Sequence, residues 1–335
     1  WLLRPGAYFR EDIAVNSHHW HWHLVYPTDM TDEQRNRKGE LFYYMHRQMV
    51  ARYDAERLSN DLLRVRPFVN WELPISEGYA PHLIDMKGQA YAARPTNLIL
   101  SDKGVLNNTV YVPELQLWRS RLIDAMHLGY YHMPDGTHQT LDIDSLGAAV
   151  EASVSSPNFR YYGNLHNMGH NLLSAIGDPD NRYNMSSPGG VMGYVETAVR
   201  DPIFFRWHKF IDSMFEIFQQ TQAPYENSDL TWTGLTIDDV KLYDGEIIPE
   251  PRNVGTPPTT SQTDTLHTFM NNRNIDLSHG LDFHGDDVTV NVTYLDHEPF
   301  TYGFTVSNAT GEEQKATVRV FLAPKFNELK KEKST

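Results

Sequence analysis

The spacing of apolar positions changes once along the chain, from a helical period up to about residue 226 to a strand-like pattern beyond it. In the first part apolar residues recur every three to four positions and so share one face of a 3.6-residue helix. Glu11 to Tyr26 reads as a helix stopped by Pro27, because proline cannot extend the backbone hydrogen-bond ladder. Gly39 to Asn60 predicts a second helix, with Leu41, Phe42, Met45 and Met49 at helical spacing. A third runs from Pro113 to Leu128, proline at its start and Leu115, Trp118, Leu122 and Met126 on one side. A short helix around Leu146 to Val154 leads to one that ends near Gly177-Asp178-Pro179, and Asp201-Pro202 caps and opens a long aromatic helix through Ile217. Pro67, Pro74, Gly78, Pro81, Gly88 and Pro95 punctuate residues 65–107, which read as a long structured connection.

Beyond Asn227 the helical period fades, and Pro249, Pro251, Gly255, Pro257 and Pro258 mark a loop or linker. Val288 to Tyr294, Phe300 to Val306 and Ala316 to Leu322 are rich in β-branched and aromatic residues, with a turn signal at Asn308-Ala309-Thr310-Gly311. They read as antiparallel strands of a sandwich. The expected fold class is therefore α+β and multidomain, with a helical domain over 1–226 and a partial C-terminal antiparallel β-sandwich over 227–335.

The formal charge of −14 on 335 residues, with no basic block to offset it, argues against a nucleic-acid partner. No run of about 18 apolar residues is present, so no helix is expected to span a membrane. The absence of cysteine excludes disulfides, thiolate metal sites, iron–sulfur clusters and thiol nucleophiles from this sequence. The Asn-x-Ser/Thr tripeptides at Asn107, Asn184, Asn291 and Asn308 would be glycan acceptors in a secreted protein. An abrupt start at Trp1 and a polar end at Lys330 to Thr335 read as a fragment of a longer chain.

Metal chemistry must then come from histidine and carboxylates, and the histidines are patterned. His19 with His23 and His166 with His170 are each four residues apart, so both rings of a pair leave one helix face a turn apart. Each pair is followed by a lone histidine in an aromatic helix, His46 and His208. His18 with His21 is an alternative first pair at three-residue spacing, but only His19 with His23 repeats the interval of His166 with His170. A single buried histidine is ordinarily a packing residue; six at duplicated spacing point to a paired metal centre. Neither a Glu-x-x-His di-iron pattern nor a His-Glu-x-x-His zinc helix occurs, and two sets of three imidazoles favour two copper ions that bind dioxygen between them. His82, His127, His132, His138, His267, His279, His284 and His297 lack such pairing and read as surface or structural residues.

The strings Arg10 to Ile13, His18 to Pro27, Gly39 to His46, Leu165 to His170 and Arg200 to His208 resemble the arthropod hemocyanin and prophenoloxidase superfamily nearly end to end. That resemblance implies a type-3 dicopper centre in a four-helix bundle, followed by an immunoglobulin-like sandwich. It places the first copper on His19, His23 and His46 and the second on His166, His170 and His208. It further implies dioxygen held as a peroxide, an extracellular haemolymph location, a dimer or hexamer, and a family N-terminal helical domain that precedes Trp1.

The same ligands serve an oxygen carrier and an enzyme that hydroxylates monophenols and oxidises o-diphenols to o-quinones in melanin formation and innate immunity. The enzyme needs phenolic substrates to enter and a group to take the phenol proton. Glu151 matches the acidic position that the family places over the coppers, Asn167 is set to orient the same water, and Glu196 is the other nearby acid. Phe204 or Phe205 would wall the ring. Glu151-Ala152-Ser153, Leu165 to His170 and Asp276 to Phe283 look more like phenoloxidases, whereas Glu196 to Pro202 is closer to some hemocyanins. The phenoloxidase is the leading expectation and the carrier the alternative; a copper-free storage relative would have lost ligands, and all six are present.

Overall fold

The computed structural model describes residues 6–31, 34, 36–85, 87–105, 108–177, 189–245, 261–278, 287–321 and 323–332. Those through Gln222, with 323–332, form one compact unit, and those within Ala223–Phe321 form a second.

The first unit is helical. After the single turn α1 (Ala7–Arg10), α2 spans Ile13–Val25 and α3 spans Lys38–Ser59. The Asp12 carboxylate accepts the Val15 N–H at 2.9 Å, so α2 begins at a satisfied N-cap, and it ends just before Pro27. The connection to α4 folds back on itself through antiparallel bridges Ile75↔Leu98, Tyr79↔Arg94 and Ile84↔Ala90. It sends Phe68, Trp71 and Ile75 into the core. Two short strands, β1 (Lys103–Val105) and β2 (Asn108–Val110), lead into α4 (Val112–Leu128). The hairpin β3 (Tyr130–His132) and β4 (His138–Thr140) follows.

Helix α5 covers Ile143–Glu151, starting three residues before the expected Leu146 and stopping three before Val154. The reason is local: Asp142 accepts the Ser145 N–H at 2.7 Å, and Ala152 at φ 61° turns the chain out of the helix. A turn of helix, α6 (Phe159–Tyr162), precedes α7 (Leu165–Ala175). Two 3₁₀ turns, Val191–Gly193 and Ala198–Arg200, lead to α8 (Pro202–Thr221). Asp201 caps α8 through the Ile203 N–H at 2.9 Å and is itself ion-paired with the buried Arg94, which ties the long connection to the helix start.

Helices α2, α3, α7 and α8 carry the patterned histidines. Phe42, Leu115, Leu122, Leu146, Leu172 and Phe204 to Trp207, Arg206 aside, pack between helices with almost no exposure. Each such side chain contributes about 1.5–3 kcal/mol relative to exposure. Helices α3 and α5 cross at a glycine pair: a Cβ on Gly147 would sit 2.0 Å from the Gly39 carbonyl oxygen, so the backbones touch.

In the second unit a single turn, α9 (Asn227–Leu230), precedes β5 (Leu235–Asp244). β5 lies between β6 (Gln262–Thr263) and β9 (Phe300–Asn308), antiparallel to both, with a bulge between Ile237 and Asp239. β7 (Thr268–Asp276) pairs antiparallel with β8 (Thr289–His297). The expected strands at 288–294 and 300–306 are present as β8 and β9, whereas β5 and β7 are additional. The stretch 316–321, also expected as a strand, is irregular and exposed. Its β-branched residues have no strand partner among the described residues, and composition without a partner does not make a strand. The proline-rich stretch 249–258 and the sequons at Asn107 and Asn184 lie outside the described residues.

Candidate metal centre

The four-residue intervals on α2 and α7 bring each pair of rings together, with centroids 4.7 Å apart for His19 and His23 and 4.7 Å for His166 and His170. His46 on α3 and His208 on α8 meet between the pairs, stacked at 4.4 Å and 3° from parallel. Ring nitrogens of His19, His23 and His46 lie within 4.8 Å of one another, as do those of His46, His166 and His208. His170 adjoins this second set, its ring 5.1 Å from His208. Phe204, one helical turn before His208, packs on that ring at 4.0 Å and meets His19 edge-on at 5.0 Å. It is fully buried and forms the floor of the cluster.

Five of the rings are oriented through Nδ1. His19 donates to the Val195 carbonyl at 2.6 Å, His170 to Met192 at 2.9 Å, and His46 and His208 to the carbonyls of Phe42 and Phe204 at 2.8 Å each. His166 donates to the side-chain oxygen of Asn167 at 2.9 Å. A proton fixed on Nδ1 of a neutral ring leaves Nε2 as a bare lone pair. The consequence is visible at His166 and His208, whose Nε2 atoms stand 3.1 Å apart with no proton to share. The buried Nε2 atoms of His46 and His170 have no hydrogen-bond partner at all. Buried polar atoms are ordinarily satisfied, and a cation satisfies several converging lone pairs at once.

Electrostatics agree with that reading. Burial pushes all six imidazoles below their ordinary value, His19 to about 3 and His170 to about 4, with His23, His46, His166 and His208 lowered well below it. Charge on neighbouring rings adds to the effect in His23, His46, His166 and His208. The rings are therefore neutral, the form that binds metal. Both nitrogen clusters contain only histidine, a donor set that suits copper and other late first-row ions and not the oxygen-seeking ones. These residues fit a pair of such ions.

Above the rings, His19, His23, His166 and His170 line an open cavity of about 350 Å³, together with Asn167 and Met192. Glu151 is not on its wall. Its carboxylate is fully buried at the end of α5, ion-paired with the equally buried Lys38 at the start of α3, and its second oxygen, Oε1, has no partner. Burial raises the Glu151 pKa, and Lys38 opposes that shift. Asn167 links the two regions: its amide donates to the Glu151 main-chain carbonyl at 2.6 Å while its oxygen holds His166. Phe205, expected beside the cavity, packs instead on Tyr53 at 3.9 Å. His18 is exposed and His21 lies beside Trp20, so neither joins the ring cluster. The carbonyl anchors at Met192 and Val195 had no signal in the sequence, because any residue type supplies a main-chain oxygen.

The chain matches the family model described as hemocyanin, copper containing domain, over residues 5–215 and the one described as hemocyanin, ig-like domain, over 224–335. It is 42% identical to hemocyanin II of Limulus polyphemus and 45% identical to the hemocyanin C chain of Aphonopelma sp., each over 334 residues covering 96% of this chain and 49% of the relative. Among solved structures, a crustacean hemolymph-type prophenoloxidase superposes with a TM-score of 0.84 at 38% identity, covering 98% of this chain and 51% of the other. A scorpion hemocyanin in its activated state gives 0.79 at 41% identity, with coverages of 97% and 50%. The chain thus spans about half the length of the relatives it matches.

Proposed function

The chain belongs to the hemocyanin family of type-3 copper proteins, which bind two copper ions, and we propose that it uses them to oxidise phenols with dioxygen. The observation that carries this reading is the placement of a roomy, open cavity directly over the bare Nε2 array. The ligands we assign are His19, His23, His46, His166, His170 and His208. Bound copper supplies paired one-electron exchange with dioxygen.

The remaining work falls to the chain. The Nδ1 hydrogen bonds fix five of the six rings so that these need no reorientation on metal binding. Phe204 excludes water from below. A phenol enters past His23 and His170, and its ring lies against Met192 and the histidine edges. We assign Glu151 and Asn167 to the positioning of the water that takes the phenol proton. Lys38 fixes one Glu151 oxygen and leaves Oε1 without a protein partner, and Asn167 stands on the cavity wall beside His166. In this reading monophenols are o-hydroxylated and o-diphenols lose two electrons and two protons to give o-quinones. The protein acts outside cells in haemolymph, as a dimer or hexamer.

A second reading, reversible oxygen carriage, is favoured by the 42–45% identity to hemocyanins. The discriminating experiment loads the full-length protein with copper, admits oxygen, and then offers dopamine and tyramine. Quinone absorbance from both, absent in His46→Asn, is the expected result. An oxygen-dependent absorption band with no quinone, even after mild detergent or proteolysis, would establish the carrier and overturn the enzyme.

A further inference from the structure

His138 follows His132 by six positions, an interval that pairs no rings on a helix or a single strand. The β3–β4 hairpin pairs them: its register sets His132 directly opposite His138. The hydrogen bonds Met133 N–H to the Thr137 carbonyl and Leu141 N–H to the Gly129 carbonyl, both 2.9 Å, fix which pairs are bonded. By alternation His132 and His138 form a non-hydrogen-bonded pair, the closer of the two kinds, with side chains on one face. The rings are 5.0 Å apart at 79°.

This pair is built rather than incidental. The turn between its strands is closed by Asp135, whose carboxylate accepts the Thr137 N–H at 3.0 Å and its hydroxyl at 2.6 Å, and by Gly136 at φ 84°. The outward-facing His132 N–H donates to the hydroxyl of the buried Tyr162 at 2.9 Å, and Asn158 donates to the His132 carbonyl at 2.7 Å. Tyr130, diagonal to His138, stacks on its ring at 4.0 Å and 20°. Both imidazoles are exposed. No residue of the hairpin belongs to the buried ring cluster.

We propose that His132 and His138 form a surface chelate for a divalent transition-metal ion of the copper, nickel and zinc class, separate from the buried centre. Two imidazoles occupy two positions of the ion, water fills the others, and the order of affinity places copper(II) first. The anchored backbone and the Tyr130 stack reduce the ordering that binding demands.

Calorimetric titration with nickel(II) of the full-length protein, its buried centre filled with two copper ions per chain and its weakly held surface copper removed by gel filtration against a mild chelator, tests the assignment. One further nickel ion per chain is expected. His132→Asn and His138→Asn should each weaken it at least tenfold, while His297→Asn leaves it unchanged. The oxygen-dependent absorption of the buried centre should be the same in all three variants. Absence of further uptake overturns the proposal, and so does an affinity retained in either single variant, which would mark a lone-imidazole contact. Uptake abolished by His46→Asn instead would mean nickel had entered a vacant buried centre and would equally refute the hairpin site.

Discussion

Five of the six ligand histidines are held twice, by a hydrogen bond at Nδ1 and by packing around the ring, and both restraints have measurable consequences. The buried rings have folded pKa values below the unfolded value of about 6.5. As pH falls through that value the unfolded chain takes up protons first, so the folded state loses stability. The loss begins near pH 6.5 and continues down to about 4 for His170 and about 3 for His19. The metal-free protein should therefore melt at a lower temperature at pH 5 than at pH 7.5; equal melting temperatures would show that the rings are not buried neutral. Asn167→Ala removes the acceptor of His166, and loss of such an outer-shell partner costs about 10–100-fold in metal affinity. Asn167→Asp keeps the acceptor and should retain metal better, as competition with a chelator would report. At this scale the spacing of the six histidines was legible, because an interval of four on a helix has one geometric meaning. The Lys38–Glu151 contact was not, because it joins residues far apart in the chain and nothing local marks either as buried.

Helix placement rests on close contacts that tolerate no added volume. A Cβ on Gly169 would lie 1.9 Å from the Trp207 ring, and one on Gly147 would meet the Gly39 backbone. Gly169→Ala and Gly147→Ala should each destabilise the protein by about 3 kcal/mol or more in urea unfolding. The second is the more severe, since the obstacle is backbone and cannot change rotamer. Lys38→Met leaves a buried carboxylate without its partner and should cost about 3–5 kcal/mol, much of which Lys38→Met with Glu151→Gln recovers. If the single and double variants unfold alike, the ion pair does not clamp α3 to α5. The helices were readable from apolar period, Asp caps and prolines. Helix α5 shifted because the Asp142 cap and the left-handed Ala152 outweighed its apolar run, and α8 runs past the expected Ile217 to Thr221. Strands β5 and β7 escaped notice for a related reason: Asp238-Asp239 and Asn271-Asn272 interrupt the β-favouring pattern, and pairing with β9 and β8 supplies what local preference lacks.

Across the whole molecule the burial is one-sided. Every buried residue among those described lies at or before Phe218, and none falls within 223–321. Apolar burial is the main favourable term in folding, so the β unit should open first. Limited trypsin digestion should cut at Lys241 or Arg273 before any site in α3 or α8; initial cleavage within those helices would contradict this order. The change of texture near residue 226 is legible in the sequence, while the sheet order, set by pairing between distant strands, is not. The central claim concerns the helical unit, namely that six specified imidazoles hold two copper ions. Copper content of the full-length protein after loading and gel filtration tests it most directly. Two ions per chain are predicted, retained in His18→Asn and His21→Asn and reduced in His19→Asn, His46→Asn, His170→Asn and His208→Asn. A single ion per chain, or two ions retained in His46→Asn and His208→Asn, would contradict the account.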